Sequence, residues 1–466
     1  MKYSVMHFCA SAGLALIPAN VLAQPSPAPA TAPTNVAPTT VAPSTATTTP
    51  LPPAKLPMPP GEIMSLEQAL TIARQQHPSI RSTKAAIDAA HARIDLAGVP
   101  LRPTATVSAS TTDGSSNGPT GGFLVPTLST GVSAQANWRI YDFGLTKANV
   151  RVAQANAAAS DAVMPTTMLD ITNAVTTAYL DAVARARLVI SVTATVENEA
   201  AHLDQARRFV AAQAKDPIEV VQAQARAANA RSALAQAQSD AAVALATLRA
   251  AIGSVAVTSD FNVDPNWPIP PRDAPESLAS LVTLARKQRP ELVQLDRQVA
   301  AAEASVNAAR AERRPTLSAT AQTQWNPNSN DWTPQPSWIA GLTVSWQFLD
   351  GGRRAANRRI ATASVASALA QRDALLISLQ LQLESARAQI IANTANVVAS
   401  TEAVAAAHAQ LNLANARYKA GLGSQIELGD AQTAVTTAEG NLISAEWQRA
   451  RAWAQLQRAV GRIEGT

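Results

Sequence analysis

The chain has 466 residues, of which 47% are apolar, and its formal net charge at pH 7 is only +5. So slight a positive charge over this length gives no case for a nucleic-acid-binding protein. The single cysteine, Cys9, excludes a disulfide framework. Beyond the first residues no stretch approaches about 18 uncharged apolar residues, so no transmembrane helix is expected.

Residues 1–23 have the pattern of a secretory signal peptide. Lys2 supplies a short basic region, Phe8–Ile17 is apolar, and Ala23 ends a small-residue cleavage site. Cys9 lies inside this segment and is interpreted as one of its apolar residues. The signal predicts a protein that is exported beyond the inner membrane.

The segment 24–60 consists mostly of proline, alanine and threonine and carries one charge, Lys55. It cannot bury enough apolar surface to offset the entropy lost on ordering, so a disordered, extended tether is predicted. A plain linker is the simplest interpretation. A tether that reaches the cell wall or an adaptor protein is the alternative.

The rest of the chain contains an internal duplication. One constant spacing relates Ser65 to Ser277, Pro78 to Pro290 and Pro103 to Pro315. A slightly shorter one relates Trp138 to Trp346, Asp142 to Asp350 and Gly253 to Gly461. So long a period lies outside the range of solenoid repeats, about 20–50 residues. It predicts two copies of a large unit, a first repeat over 61–256 and a second over 277–462, joined by a linker over 257–276.

Each repeat is predicted to begin with two short helices and to continue with two strands. Ser65 and Gln68 fit a capping box, and a proline marks the start of the second helix in each repeat. Alternation with period two then predicts strands. They are expected over 104–110 and 128–140 in the first repeat and over 316–325 and 338–348 in the second, with loops at 113–127 and 326–336.

One face of these strands is apolar and has aromatic residues near its ends, among them Trp138 and Trp346, whereas the other face is nearly all Ser, Thr, Gln and Asn. This pattern is typical of transmembrane β-strands, and a half-buried strand of a soluble sheet is the alternative. The export signal and the polar face favour the membrane. Four strands cannot close a barrel, and lipid does not tolerate an open sheet edge. The barrel therefore requires an oligomer, either a dimer or a trimer.

A long alanine-rich helical run follows each strand pair, Leu145–Ala212 and Arg353–Ala420, and Pro165 is expected to kink the first. Each run turns and returns, as Ile218–Ala251 and Gln425–Val460. Small alanine side chains allow the axes of paired helices to approach closely. A soluble coiled-coil rod would explain these hairpins but leaves the strands unexplained.

The turn of the second hairpin contains Gly421, Leu422, Gly423 and Ser424. The glycines suit the end of a helix and a tight reversal. Ser424 with Glu427 three residues later predicts a capping box that starts the returning helix. In the first hairpin a different set does this work: Asp216 as the cap, Pro217 at the first helical position and Glu219 at the third.

Asp430 lies one turn beyond Glu427 and serves no cap. On a symmetry axis it would form a ring of carboxylates, which favours cations in a pore or narrows it. A solvated helix face is the alternative. For Glu427, capping and the helix dipole already account for an acid. The first-repeat equivalent of Asp430 is Gln222, so the two repeats differ at this level.

Four arginines cluster where the second strand pair gives way to its helix: Arg353, Arg354, Arg358 and Arg359. Positive charge at the start of a helix is unfavourable, so an anion such as a lipid headgroup is one expected compensation. Simple solvation by water is the other.

The sequence gives no support for catalysis. Its histidines outside the signal are widely scattered and lack metal-ligand spacing: His77, His91, His202 and His408. The string Gly114–Gly118 has the spacing G-x-S-x-G but lies in the predicted loop between two strands, without the strand-to-helix turn of a nucleophile elbow, and no phosphate-binding loop is present. No enzymatic activity, metal or cofactor is expected.

Several motifs together resemble the TolC-type outer-membrane efflux protein family, over about Ser65 to Gly461. They are the Ser-Leu-x-x-Ala-Leu opening at Ser65, the Arg-Pro pair before each strand pair, Trp346–Gly352 and Tyr418–Gln432. The resemblance implies an α+β membrane protein. Three chains, with four strands each, would complete an antiparallel transmembrane β-barrel, and their long helices would form a coiled-coil tunnel in the periplasm.

The resemblance also implies passive export across the outer membrane, driven by an inner-membrane transporter. A periplasmic adaptor would dock at the helix tips, at Gly421–Ser424 and Asp216-Pro217, and outer-membrane lipid would surround the barrel. Glu427 and Asp430 match the family's acidic constriction, with Glu219 and Gln222 as their first-repeat counterparts. Some members have a basic residue where Gly423 stands.

Two other functions stay open at this point. A channel for type I protein secretion would have the same architecture, so the substrate class (drug, metal or protein) is not determined. A soluble periplasmic coiled-coil scaffold would lack the barrel.

Overall fold

The computed structural model describes residues 62–117, 124–253, 261–268, 276–325 and 336–462. The expected signal peptide (1–23) and tether (24–60) lie outside these residues. So do parts of the loops and linker that the sequence predicts between the strands and between the repeats.

The helices and strands follow the order expected from the duplication. They are β1 (Glu62–Met64), α1 (Leu66–Gln76), α2 (Pro78–Gly98), β2 (Thr104–Asn117), β3 (Leu124–Tyr141), α3 (Leu145–Asp161), α4 (Val163–Ala211), α5 (Ile218–Ile252), β4 (Phe261–Val263), α6 (Leu278–Gln288), α7 (Pro290–Ala311), β5 (Thr316–Trp325), β6 (Pro336–Ser345), α8 (Arg353–Lys419) and α9 (Gln425–Val460).

The duplication is visible in the corner where each strand pair passes into its long helix. Asp142 Oδ1 accepts the N–H of Gly144 at 3.1 Å, and Asp350 Oδ1 accepts the N–H of Gly352 at the same distance. Both glycines are left-handed, with φ of 92° and 90°, a conformation that glycine adopts without steric cost. The same residues build the same turn twice, which confirms the internal duplication.

The four long strands form one antiparallel sheet in the order β2-β3-β5-β6. Its register aligns mostly apolar residues in alternate rows and mostly polar residues in the rows between them. One row is Ala105, Ala136, Ala321 and Ala340, and the next is Thr104, Asn137, Thr320 and Gly341. Because successive residues point to opposite faces, the sheet has an apolar face and a polar face. Within the chain, β2 and β6 each have one unpaired edge.

Several of the expected strand boundaries differ from the structure, three of them by three residues or more. β2 continues to Asn117 and β3 begins at Leu124, so much of the expected loop 113–127 is strand. Backbone pairing continues there although apolar and polar side chains no longer alternate. That alternation is the signal by which the sequence predicts a strand. β6 ends at Ser345 instead of residue 348. There the indole of Trp346 donates to the carbonyl of Arg313 at 3.1 Å as the chain turns toward α8.

The first long helical run is interrupted instead of merely kinked. α3 ends at Asp161 and α4 begins at Val163, with Pro165 in the first turn of α4. Proline has no N–H to donate to the preceding turn and its ring collides with that turn. The interruption therefore falls just before Pro165.

Alanine allows the helices of each hairpin to pack closely. Along α5 a stripe of buried alanines recurs at helical spacing and faces α4: Ala223, Ala227, Ala230, Ala237, Ala241 and Ala244. In the second hairpin, α8 and α9 share a core that includes Leu383, Ile390 and Leu456. By length and composition alone α8 could also cross a membrane, which the sequence did not suggest. Its extended packing along α9 identifies it as one arm of the hairpin.

The region expected to be a simple linker between the repeats contains β4. This strand pairs in parallel with β1, with Glu62 opposite Phe261. Phe261 and Val263 are buried in the core around α1 and α4, and Tyr179 donates its hydroxyl to the carbonyl of Met64 at 3.0 Å. β4, which falls within the expected linker, therefore packs as part of the first repeat.

Candidate gate at the helix tips

The tip of the first hairpin lies between Ala211 and Ile218. Asp216 Oδ1 accepts the N–H of Ile218 at 3.0 Å, as a capping carboxylate does. Pro217 has helical dihedrals, with φ of −54°, although hydrogen-bonded helix begins one residue later. The acidic cap and the proline thus occupy the turn expected for them.

The tip of the second hairpin lies between Lys419 and Gln425. Gly421 is left-handed with φ of 75°, and Ser424 Oγ accepts the N–H of Glu427 at 3.2 Å. The carboxylate of Glu427 forms an ion pair with Arg417, with Nε to Oε1 at 3.0 Å. Only the serine half of the expected capping box is formed, because this ion pair holds the glutamate.

Gly423 is the residue that stands where some family members have a basic side chain. A Cβ at this position would lie 3.0 Å from the backbone nitrogen of Tyr418 and 3.2 Å from the carbonyl carbon of Arg417. These are backbone atoms, so no side chain fits without a shift of the chain. The tight turn itself therefore favours glycine at this position.

Lys215 brings a positive charge to the same place from the first hairpin. Its Nζ donates to the carbonyl oxygen of Gly423 at 2.9 Å and lies 3.5 Å from Glu219 Oε1. It also lies 5.2 Å from the ring centroid of Tyr418. Lys215 and Glu219 are only 18% and 13% exposed, so these charged contacts are shielded from water. They tie the tip of one hairpin to the tip of the other.

Tyr418 completes this link. Its ring is fully buried and packs 5.6 Å from the ring of Phe209, and its hydroxyl donates to Glu219 Oε2 at 2.9 Å. Burial, followed by the hydrogen bond and charge of Glu219, raises the pKa of Tyr418 well above its ordinary value of 10.0. Tyr418 is therefore a neutral donor. Glu219 is engaged between Tyr418 and Lys215 instead of facing open solvent.

A second link crosses the hairpins one turn further from the tip. Arg226 of α5 donates to the carbonyl oxygen of Gln425 at the start of α9. A Cβ at Gly429 would overlap the guanidinium of Arg226. Glycine inside a helix costs about 1 kcal/mol relative to alanine. At Gly429 it leaves the space through which Arg226 reaches across.

The two predicted constriction acids have different surroundings. Asp430 is exposed on α9, and among the described residues no cation lies within ion-pair distance of it. Glu427, in contrast, is paired with Arg417. Gln222, the first-repeat counterpart of Asp430, is partly buried on α5. Of these two acids, Asp430 is the one without an ion-pair partner among the described residues.

Sequence reasoning missed Lys215, Tyr418 and Arg226. Lys215 and Glu219 are four residues apart, a spacing that can pair charges around a helix start, so this contact had a weak local signal. Gly429 within an otherwise regular helical pattern is a sign of close approach. The contacts between hairpins had no signal, because no local pattern relates residues so distant in sequence.

Two titratable side chains are buried next to the Arg226 link. Glu199 and His202 of α4 are 5% and 8% exposed. Burial raises the pKa of Glu199, and the charge of Arg226 opposes that rise. Burial, and then the charges of Lys419 and Arg226, lower the pKa of His202 below 6.5. His202 is therefore neutral at pH 7.

We expect acidification to weaken the packed tip through His202. Because its folded pKa lies below 6.5, the unfolded chain takes up the proton first, and stability falls as the pH drops through that value. Glu199 acts in the opposite direction, since its raised pKa favours the protonated folded form. The thermal unfolding midpoint of His202→Gln should fall less steeply with acidification than that of the wild type.

The exposed His91, which contacts Asp161 on the surface, provides the matched control for this measurement. His91→Gln removes an exposed histidine and should not reproduce the shallower decline expected of His202→Gln. Equal slopes for His202→Gln and the wild type would contradict the expected role of His202.

The fold and its tips define a class of protein: a subunit of an outer-membrane channel, with an incomplete β-sheet carried on long helical hairpins. The model of the outer membrane efflux protein family matches residues 69–254 and 281–462, which fall within the two repeats. The chain belongs to this family. It lies in the outer membrane with its helices in the periplasm, and its family consists of channel proteins.

Protein CyaE of Bordetella pertussis is 30% identical over 289 residues, which cover 57% of this chain and 56% of CyaE. The chain thus matches little more than half the length of that relative. The CmeC outer membrane channel of Campylobacter jejuni superimposes with a TM-score of 0.71 at 16% identity, covering 85% of each chain. VceC of Vibrio cholerae superimposes with a TM-score of 0.66 at 18% identity, covering 85% of this chain and 96% of VceC. These likenesses establish the fold, a helical tunnel with a β-domain.

Proposed function

We propose that this chain is the outer-membrane channel of a tripartite export system. In this function it conducts substrates passively from an inner-membrane transporter, through a periplasmic adaptor, to the outside. The observation that carries the proposal is the four-stranded sheet, which has one apolar face and two unpaired edges. Lipid does not tolerate such edges, so copies of the chain must complete the barrel.

A homotrimer is the assembly that suits conduction. Two copies would supply eight strands, and an eight-stranded barrel is about wide enough for side chains to fill its interior. Three copies would supply twelve strands and leave a lumen lined by the polar face, with residues such as Asn137 and Thr320. The six helical hairpins would then surround one axis, with their tips at the periplasmic end.

The tips are proposed to dock the adaptor. Apolar side chains are exposed there on both hairpins, an arrangement typical of protein interaction sites. They are Ile218, Val221, Leu422 and Ile426. They flank Asp216-Pro217 and Gly421–Ser424, the segments that the family resemblance assigns to adaptor docking. Passive conduction of this kind requires no cofactor in the channel.

Membrane fractionation tests the proposal. We expect the mature protein to sediment with outer membranes, to resist extraction by salt, and to require detergent for release. In detergent its mass, after correction for bound detergent, should be three times that of one chain. Release by salt alone would overturn the channel proposal, and a dimeric mass would overturn the trimer.

A further inference from the structure

A cluster of exposed arginines surrounds the corner where β6 gives way to α8. We refer to it as the arginine collar: Arg313, Arg353, Arg358 and Arg359. Arg314 is not part of it, because its guanidinium donates to the carbonyl of Phe143 at the first-repeat corner. Arg354 lies at the same corner but is nearly buried and pairs with Asp350, with Nε to Oδ2 at 3.4 Å. Arg354 is therefore not counted in the collar.

The acids nearby are already engaged. Asp350 accepts the backbone N–H groups of Gly352 and Arg354, and Glu312 accepts from the side chain of Asn357 at 3.1 Å. Arg353 donates to the amide oxygen of Gln347 at 3.3 Å. In the part of the chain that the structure describes, no carboxylate lies within ion-pair distance of any collar arginine. Among the described residues, the collar is thus a concentration of positive charge with no direct ion pair, although Asp350 attracts Arg353 at longer range.

Aromatic and apolar side chains lie between the collar and the strands. Trp346, Phe348 and Leu349 are 61%, 80% and 78% exposed, and the rings of Trp346 and Phe348 lie 6.4 Å apart. The indole of Trp346 donates to the carbonyl of Arg313, so the aromatic band and the collar are in contact. Aromatic residues at the ends of transmembrane strands lie at the level of the lipid headgroups.

The collar lies on the helical side of this band. Since the helices are in the periplasm, its guanidinium groups are at the level of the periplasmic leaflet's phosphates. Guanidinium groups bind phosphate through two parallel hydrogen bonds and keep their charge at all relevant pH values. The apolar strand face continues directly from the band, for example at Leu342 and Val344, and would contact acyl chains of the same lipids.

We propose that the arginine collar binds the phosphate groups of anionic phospholipids in the periplasmic leaflet of the outer membrane. The proposal rests on the proposed channel function, which puts the strands in lipid. The first-repeat corner reproduces the collar only in part, since Arg151 occupies the position of Arg359. At the first-repeat corner Leu145 and Val150 occupy the positions of Arg353 and Arg358. In a trimer the anionic lipids would therefore be bound most strongly at three places around the barrel.

The test uses the full chain in nanodiscs made from equal amounts of phosphatidylethanolamine and phosphatidylglycerol. After mild delipidation, mass spectrometry gives the ratio of the two lipids that remain bound. We expect phosphatidylglycerol to be enriched with the wild type and the enrichment to fall about tenfold in the variant R353Q/R358Q/R359Q, because each basic residue near an anionic surface contributes appreciably. The enrichment should also weaken as salt is added.

Two further variants separate phosphate binding from general charge and from misfolding. R81Q/R231Q/R297Q removes the same charge from exposed arginines on the tunnel helices and should keep the wild-type enrichment. R353K/R358K/R359K keeps the charge of the collar and should keep most of the enrichment. Equal enrichment in all variants, or none in the wild type, would overturn the proposal.

Two controls complete the design. Inorganic phosphate added at constant ionic strength should not displace the lipid, because only the lipid also contacts Trp346, Phe348 and Leu349. Displacement by phosphate would mean that the collar is a site for free phosphate, and it would overturn lipid binding. Single-channel conductance is recorded from the same preparations. If the wild type conducts normally but shows no lipid enrichment, only the proposal that the collar binds lipid is overturned. If the wild type does not conduct, the proposed channel function is overturned.

Discussion

Lys215→Met should open the helix tips and raise the single-channel conductance severalfold. Lys215 holds the carbonyl of Gly423 at 2.9 Å and lies 3.5 Å from Glu219. Hydrogen bonds that involve a charged group contribute about 1.5–3 kcal/mol each. Methionine fills a similar volume but donates no hydrogen bond. Loss of the contacts of Lys215 therefore shifts the equilibrium between closed and open tips toward the open form by about tenfold or more.

The effect on conductance should exceed that of the lost contacts alone, because the substitution leaves Glu219 without its cation. Glu219 is largely shielded from water and would keep only the hydroxyl of Tyr418 as a partner. A buried carboxylate without its cation is strongly unfavourable, so the closed tip loses more than the contacts of Lys215. Tyr418→Phe should act in the same direction but less, because Lys215 then still neutralises Glu219.

A double-mutant cycle distinguishes a connected link from separate contacts. If Lys215 and Tyr418 act through Glu219, the double variant should differ from the sum of the two single variants. Arg208→Met is the matched control near the same tip. Arg208 pairs with Asp204 four residues earlier, and their side chains are 72% and 62% exposed, so this pair contributes little. If Lys215→Met has the conductance of the wild type, Lys215 does not hold the tips closed.

The fold class followed from the sequence because its signals are local and repeated. Alternation over Ala134, Ala136 and Trp138 marks a two-faced strand, and its recurrence in the second repeat marks the duplication. The strand ends were less predictable. Asp113–Asn117 pairs through its backbone although its sequence does not alternate, so hydrophobic pattern could not extend β2 that far.

The gate was only partly predictable for a different physical reason. Asp216 and Ser424 cap their helices through neighbours two and three residues away, and such contacts can be inferred from a sequence. The contact of Lys215 with Gly423 depends on how the two hairpins pack. The duplication was misleading here, since Glu219 and Glu427 are equivalent in sequence. Glu219 is largely shielded from water between the hairpins, whereas Glu427 pairs with Arg417 at the surface.

Asp430→Asn should weaken the block of single-channel current by multivalent cations by roughly tenfold or more. In the proposed trimer three copies of Asp430 face one axis. Each carboxylate close to a cation contributes on the order of 1 kcal/mol even in water, and about 1.4 kcal/mol is a tenfold change in affinity. Asparagine keeps the size of the side chain, so the lumen width is unchanged and only the charge is removed.

Two variants make this test specific to Asp430. Glu427→Gln should change the block much less, because Arg417 already neutralises that carboxylate at 3.0 Å. Gln222→Asp adds an acid at the equivalent position of the first repeat and should strengthen the block, since the ring would then hold six carboxylates instead of three. An unchanged block in Asp430→Asn would remove Asp430 from the constriction. If Glu427→Gln weakens the cation block and Asp430→Asn does not, the ion pair of Glu427 with Arg417 is broken when the channel conducts.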